Sequence, residues 1–147
     1  MAVQAYEAVG DEAGAKSAAR RALDRIEKII ATEPDHGTAT SFGVTALVTL
    51  GETDRAMEWA EHALLLDPDN FNLNYNLACS MVKARRTDRA LELLSGVLER
   101  AHPDGLRWLK ADTDLDPIRD DPRFKAMLAA AEARLAAANK TGSLPAS

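Results

Sequence analysis

Asp112, Asp114 and Asp116 place three carboxylates on alternate positions of one short stretch. Alternating aspartates open the loops that hold calcium, because side chains two apart can converge on one cation. The rest of that pattern fails here. The sharp turn needs glycine at the sixth position, which is Pro117, and Arg123 stands where the bidentate glutamate is due. The stretch therefore reads as helix capping in a solvated acidic loop. His36, His62 and His102 have no i, i+4 histidine partner and no cysteine at ligand spacing, so they read as surface or packing residues. Cys79 has no candidate base near it in the sequence and reads as a small packing residue. There is no phosphate loop, no dinucleotide glycine pattern and no Gly-x-Ser-x-Gly. We expect no catalytic residue, no metal and no cofactor.

The elements that carry these residues are helical. Of 147 residues, 46% are hydrophobic and only 5% aromatic, and alanine and leucine, the strongest helix formers, dominate. One domain is expected at this length. A net charge of -5 speaks against nucleic acid, whose phosphates need a basic face. No apolar run is long enough to span a membrane, and no secretory leader pattern opens the chain. A single cysteine cannot form an internal disulfide, so a cytoplasmic location is expected.

One spacing organises the whole chain. Arg21-Ala22, Arg55-Ala56 and Arg89-Ala90 lie 34 residues apart, as do Leu23, Met57 and Leu91, then Ile26, Ala60 and Leu94, then Ile29, Ala63 and Val97. Pro34 and Pro68 share the interval, and Pro103 follows one residue late. The middle copy predicts helix A from Thr38 to Leu50, a stop at Gly51, and helix B to Leu66 with Thr53 or Asp54 as its cap. Asp67-Pro68 ends helix B, since proline disfavours a helical residue before it. The third copy predicts helix A from Phe71 to Met81 and helix B from Arg89 to Ala101, capped by Thr87-Asp88. Its turn reads Arg85-Arg86 where glycine would serve better. In the first copy helix A is at most Ala2 to Val9. Gly10-Asp11 makes the turn about five residues early, and helix B runs on to Thr32. Beyond Pro103 the period lapses. A short helix from Leu106 to Lys110 is expected, then Asp116-Pro117 and Asp121-Pro122, each pairing a capping aspartate with proline at the first helical position. The second opens a helix to about Asn139, with Phe124, Met127, Leu128, Ala131 and Leu135 on its buried face. The segment 141–147 is expected to be disordered.

These residues resemble the tetratricopeptide repeat family, in register over three copies. Gly51 matches the turn glycine, Ala56 and Ala90 the small residue where two helices cross, Ala63 the second small position, Pro68 the closing proline, and Tyr75-Asn76-Leu77-Ala78 the family's Tyr-Asn-Leu-Gly segment. Gly43-Val44 departs from the expected Leu-Gly pair. The resemblance implies an all-α right-handed superhelix of antiparallel helix pairs, with repeats at about 1–36, 37–70 and 71–104 and closing helices over 105–140. It also implies a non-catalytic surface that binds a protein or peptide. The family's groove positions correspond to Thr38, Ser41 and Thr45, then Asn72, Tyr75, Cys79 and Val82, with Asn76 beside them. The lysine and arginine of the clamp that grips chaperone C-termini are missing from the third helix A.

A narrower resemblance covers Tyr75 to Ser80 and Trp108 to Phe124, which ends in Asp121-Pro122-Arg123-Phe124. It is similar to the C-terminal end of bacterial multidomain signalling proteins, class III adenylate cyclases among them. It implies that the chain is the C-terminal scaffolding part of a longer protein. The alternative is a stand-alone adaptor or assembly chaperone that forms a homodimer through its shortened first copy.

Overall fold

The computed structural model describes residues 2–142, the side chains of Ala2 and Gln4 excepted. The fold is all-α, with no strand among the described residues. Its contacts divide it into two compact units, Met1–Ser80 and Met81–Ser147. The first holds α1 (Ala2–Ala8), α2 (Glu12–Thr32), α3 (Gly37–Thr49), α4 (Thr53–Leu66) and most of α5 (Phe71–Lys83). The second holds the last turn of α5, α6 (Thr87–Arg100), α7 (Pro103–Ala111), a 3-10 helix (Thr113–Ile118) and α8 (Pro122–Thr141).

Three A-to-B turns share one backbone design. A residue in the left-handed region follows each helix A: Gly10 at φ 73°, Gly51 at φ 79° and Arg85 at φ 60°. In each, two N–H groups fold back onto the helix just ended: Gly10 to Glu7 O and Asp11 to Tyr6 O, Gly51 to Val48 O and Glu52 to Leu47 O, Arg85 to Val82 O and Arg86 to Met81 O. This pair of bonds satisfies carbonyls that the helix leaves without partners. The turn is so tight that its last residue is already the N-cap of helix B. Glu52 and Arg86 accept the first helical bond, from Ala56 N and Ala90 N, and make no side-chain cap. The caps expected at Thr53, Asp54, Thr87 and Asp88 therefore move back to Glu52 and Arg86. Only Asp11 adds a side-chain cap, accepting from Gly14 N at 2.8 Å.

Arg85 bears the steric cost of its Cβ in a conformation that glycine adopts freely. Arg85→Gly is expected to raise stability by about 1 kcal/mol, read as a higher urea midpoint at unchanged slope.

The first turn comes seven residues early rather than five: α2 has 21 residues against 14 in α4 and in α6. Seven residues are close to two full turns, so α2 keeps its packing face while growing longer.

In unit 1, α2 packs on α1 and on α3, and α3 packs on α4. Gly43 on α3 lies against the Trp59 ring of α4, which makes sense of the departure from the Leu-Gly pair. The Arg55 guanidinium lies 5.3 Å from the centre of that ring and pairs with Glu27 of α2. Thr45 and Ser80 hydroxyls meet at 3.1 Å, linking α3 to α5.

In unit 2, α8 packs on α6 and α7. Phe124, Ala131 and Leu135 are buried on its inner face, with Met127 and Leu128 half-buried. Asp121 caps α8 through Arg123 N, and Pro122 takes the first turn, as expected. The Arg123 side chain, beside the Asp121 carboxylate, holds it below the ordinary range. That stabilisation is full at neutral pH and fades as pH falls through the lowered value. Arg134 donates to Leu98 O and Ala101 O, closing the C-terminal end of α6. Two expectations change here. The helix around Trp108 starts at Pro103, which takes the first turn, and not at Leu106. Asp116 caps nothing: Asp112 caps the 3-10 helix through Asp114 N, Pro117 lies inside that helix, and Asp116 pairs with Arg119. Thr141 ends α8 and Gly142 closes it at φ 68°; the rest of the expected disordered tail lies outside the described residues.

Candidate functional site

The repeat period shows where the first copy is incomplete. In α4 the stripe Ala56, Ala60 and Ala63 is buried, and in α6 so is Ala90, Leu94 and Val97. The equivalent stripe of α2 is Ala22, Ile26 and Ile29. Ile26 is buried and Ala22 half-buried, yet Ile29 is 39% exposed where Ala63 and Val97 are at 0%. The cause is helix length. α3 and α5 have 13 residues each, whereas α1 has seven. At 1.5 Å per residue α1 follows only about 10 Å of an α2 roughly 31 Å long. Among the described residues, α2 packs on α3 along this half, and α1 ends short of Ile29.

The opening is a pocket of about 390 Å³. Val3 of α1 is among the lining residues. Ala22, Ile26 and Ile29 of α2 face Ala39, Phe42 and Ala46 of α3 along it. Phe42 is 36% exposed, a large apolar side chain turned partly to solvent beside Ile29. Such a trough is a surface that gains by being covered, at about 25 cal/mol for each Å² of apolar area removed from water.

Four of the described lining residues are polar: Arg25, His36, Thr38 and Thr45. His36 is the N-cap of α3, its Nδ1 accepting from Ala39 N at 3.1 Å. Nε2 then carries the proton of the neutral ring. Arg25 lines the pocket and makes no hydrogen bond or ion pair with the described residues. No carboxylate is among the lining residues.

The eight expected groove residues divide. Thr38 and Thr45 line this pocket. Asn72 is exposed, and Asn76 and Cys79 are half-buried. Ser41, Tyr75 and Val82 are buried, so the expected open row is interrupted at those three. The Ser41 hydroxyl is spent on its own helix, donating to Thr38 O at 2.8 Å. Ile26 and Ile29, which the period marks as packing positions, line the pocket with Arg25 and Phe42, which no sequence pattern singles out.

A family model of the tetratricopeptide repeat matches residues 47–131. Every residue lining the pocket precedes that stretch. No curated protein matches the chain.

Proposed function

Because the chain belongs to the tetratricopeptide repeat family, we propose that it is a non-catalytic interaction module that holds a segment of a partner polypeptide along the open face of α2 and α3. Proteins of this family are generally non-catalytic and bind proteins or peptides. The observation that carries the reading is the exposure of Ile29 at a repeat position where Ala63 and Val97 are wholly buried. Thr38 and Thr45 line the pocket, the Thr45 hydroxyl shared with Ser80, and Asn72, Asn76 and Cys79 lie along α5. No helix among the described residues is long and apolar enough to cross a membrane. The wider setting we assign is the cytoplasmic scaffolding part of a bacterial signalling protein of the class III adenylate cyclase type. Its support is the sequence resemblance of the closing segment through Asp121-Pro122-Arg123-Phe124.

The test is selection of peptides from a displayed library of helical segments by the 147-residue chain. Selected peptides are expected to bind at low micromolar Kd and to lose at least tenfold against Ile29→Glu. Peptides that bind the variant as well as they bind the native chain would place the docking surface elsewhere.

A further inference from the structure

We infer that His36 makes the start of α3 a pH-sensitive latch: the first turn, 37–40, is held while the His36 ring is neutral and opens when the ring takes up a proton.

The latch is one hydrogen bond, from Ala39 N to His36 Nδ1 at 3.1 Å. A neutral imidazole has one nitrogen free to accept, and a protonated one has none. Protonation therefore sets two N–H groups against each other and adds a positive charge at the positive end of the α3 dipole. Ala39 is buried, so water does not readily take the place of the ring. The turn has little else to hold it. It contains no acidic residue, whereas the first turns of α2, α4, α6 and α7 carry Glu12, Asp54, Asp88 and Asp104. It opens on Gly37 and Thr38, both poor helix formers. Thr40 donates to His36 O through N and through Oγ1, each at 3.1 Å, so further bonds of the turn also run to residue 36.

Other helix starts do not respond over the same range. Asp11, Asn70, Asp112 and Asp121 cap through carboxylate or amide oxygens. Such oxygens remain acceptors between about pH 8 and pH 5, where histidine ordinarily takes up its proton. The charges around the ring oppose one another. Arg25 of α2 lines the same pocket as the ring and resists a second positive charge. Glu33 and Asp35 precede the ring in the chain, and Asp67, the C-cap of α4, has its Cβ 4.0 Å from where a side chain on residue 37 would begin. These carboxylates, and not Ala39 N, are the partners a charged ring can use. No residue of α3 is ionisable, so its own side chains add nothing to the balance. Thr38 and Ala39 line the pocket together with His36, so one wall loosens with the cap. The latch works whether or not the pocket is filled.

The test uses the 147-residue chain, labelled with nitrogen-15, at pH 8 and at pH 5. At pH 8 the imidazole shifts of His36 are expected to show Nε2 protonated and Nδ1 bare. Protection of the Ala39 amide, corrected for the intrinsic pH dependence of exchange, is expected to fall about fivefold at pH 5, as for the loss of one cap. The Leu73 amide, which Asn70 caps, should hold its protection. His36→Asn keeps an acceptor at both pH values and should abolish the fall, and His36→Ala should already sit at the lower value at pH 8. His62→Gln combined with His102→Gln should leave the fall intact. Equal protection of Ala39 at the two pH values in the native chain overturns the latch. So does a fall that persists in His36→Asn, which would assign the proton to Glu33, Asp35 or Asp67, and so does a ring protonated on Nδ1 at pH 8.

Discussion

Phe124→Ala is expected to cost about 3 to 5 kcal/mol, the range for deleting a fully buried aromatic side chain. Phe124 is wholly buried one turn into α8, and it anchors the helix that closes the second unit. Its ring is fully removed from water, and alanine would leave a cavity in a close-packed interior. The polar fastenings of α8 do not replace it. The Arg123 link to Asp88 and the Lys110 link to Glu132 are exposed pairs, and such pairs contribute little. Amide hydrogen exchange across 122–141 should lose its protection before α4 does. A loss under about 1 kcal/mol in urea unfolding would mean that α8 does not close the unit.

Gly43→Ala is expected to destabilise by about 1 to 3 kcal/mol, against the sign that helix propensity gives. In an open helix the change gains up to about 1 kcal/mol. Here a Cβ on residue 43 would stand 2.6 Å from Trp59 Cε3, closer still to Cζ3, and 3.3 Å from Ile26 Cγ2. The ring cannot step aside freely, because Arg55 stacks on it and is tied to Glu27. Separating α3 from α4 is the remaining relief, since the tightest contacts are to the α4 ring. Gly96→Ala is the control, since nothing lies within 4 Å of the added methyl. It should raise the urea midpoint, by up to about 1 kcal/mol in stability. The same substitution thus has opposite signs at two helical glycines, and two gains would remove the close approach of α3 and α4 from the account.

The pairing of helices was legible because the 34-residue period repeats the same small and apolar positions. Ala56, Ala63 and Ala90 lie where the repeat requires them, all buried. The turns were legible where glycine marks a left-handed residue, and Arg85 was legible as a poor substitute. What the sequence hid has a common cause. Positional analogy says which face a residue takes, not whether a neighbour is long enough to cover it. Ile29 was aligned correctly with Ala63 and Val97, yet its exposure depends on the length of α1 and on two added turns in α2. Ser41, Tyr75 and Val82 show the converse: the family's groove positions are open, while these three are buried, because burial depends on neighbours and not on register. The caps moved because the last residue of each tight turn serves two helices at once, which no single-helix rule anticipates.

Hydrogen–deuterium exchange of the native chain, with and without a saturating amount of a peptide selected against it, tests the central claim most directly. Protection is predicted at the amides and flanks of 22–32 and 36–46, absent in Ile29→Glu, with 122–141 unchanged. Protection centred on 72–79, or on the closing helix, would contradict docking along α2 and α3.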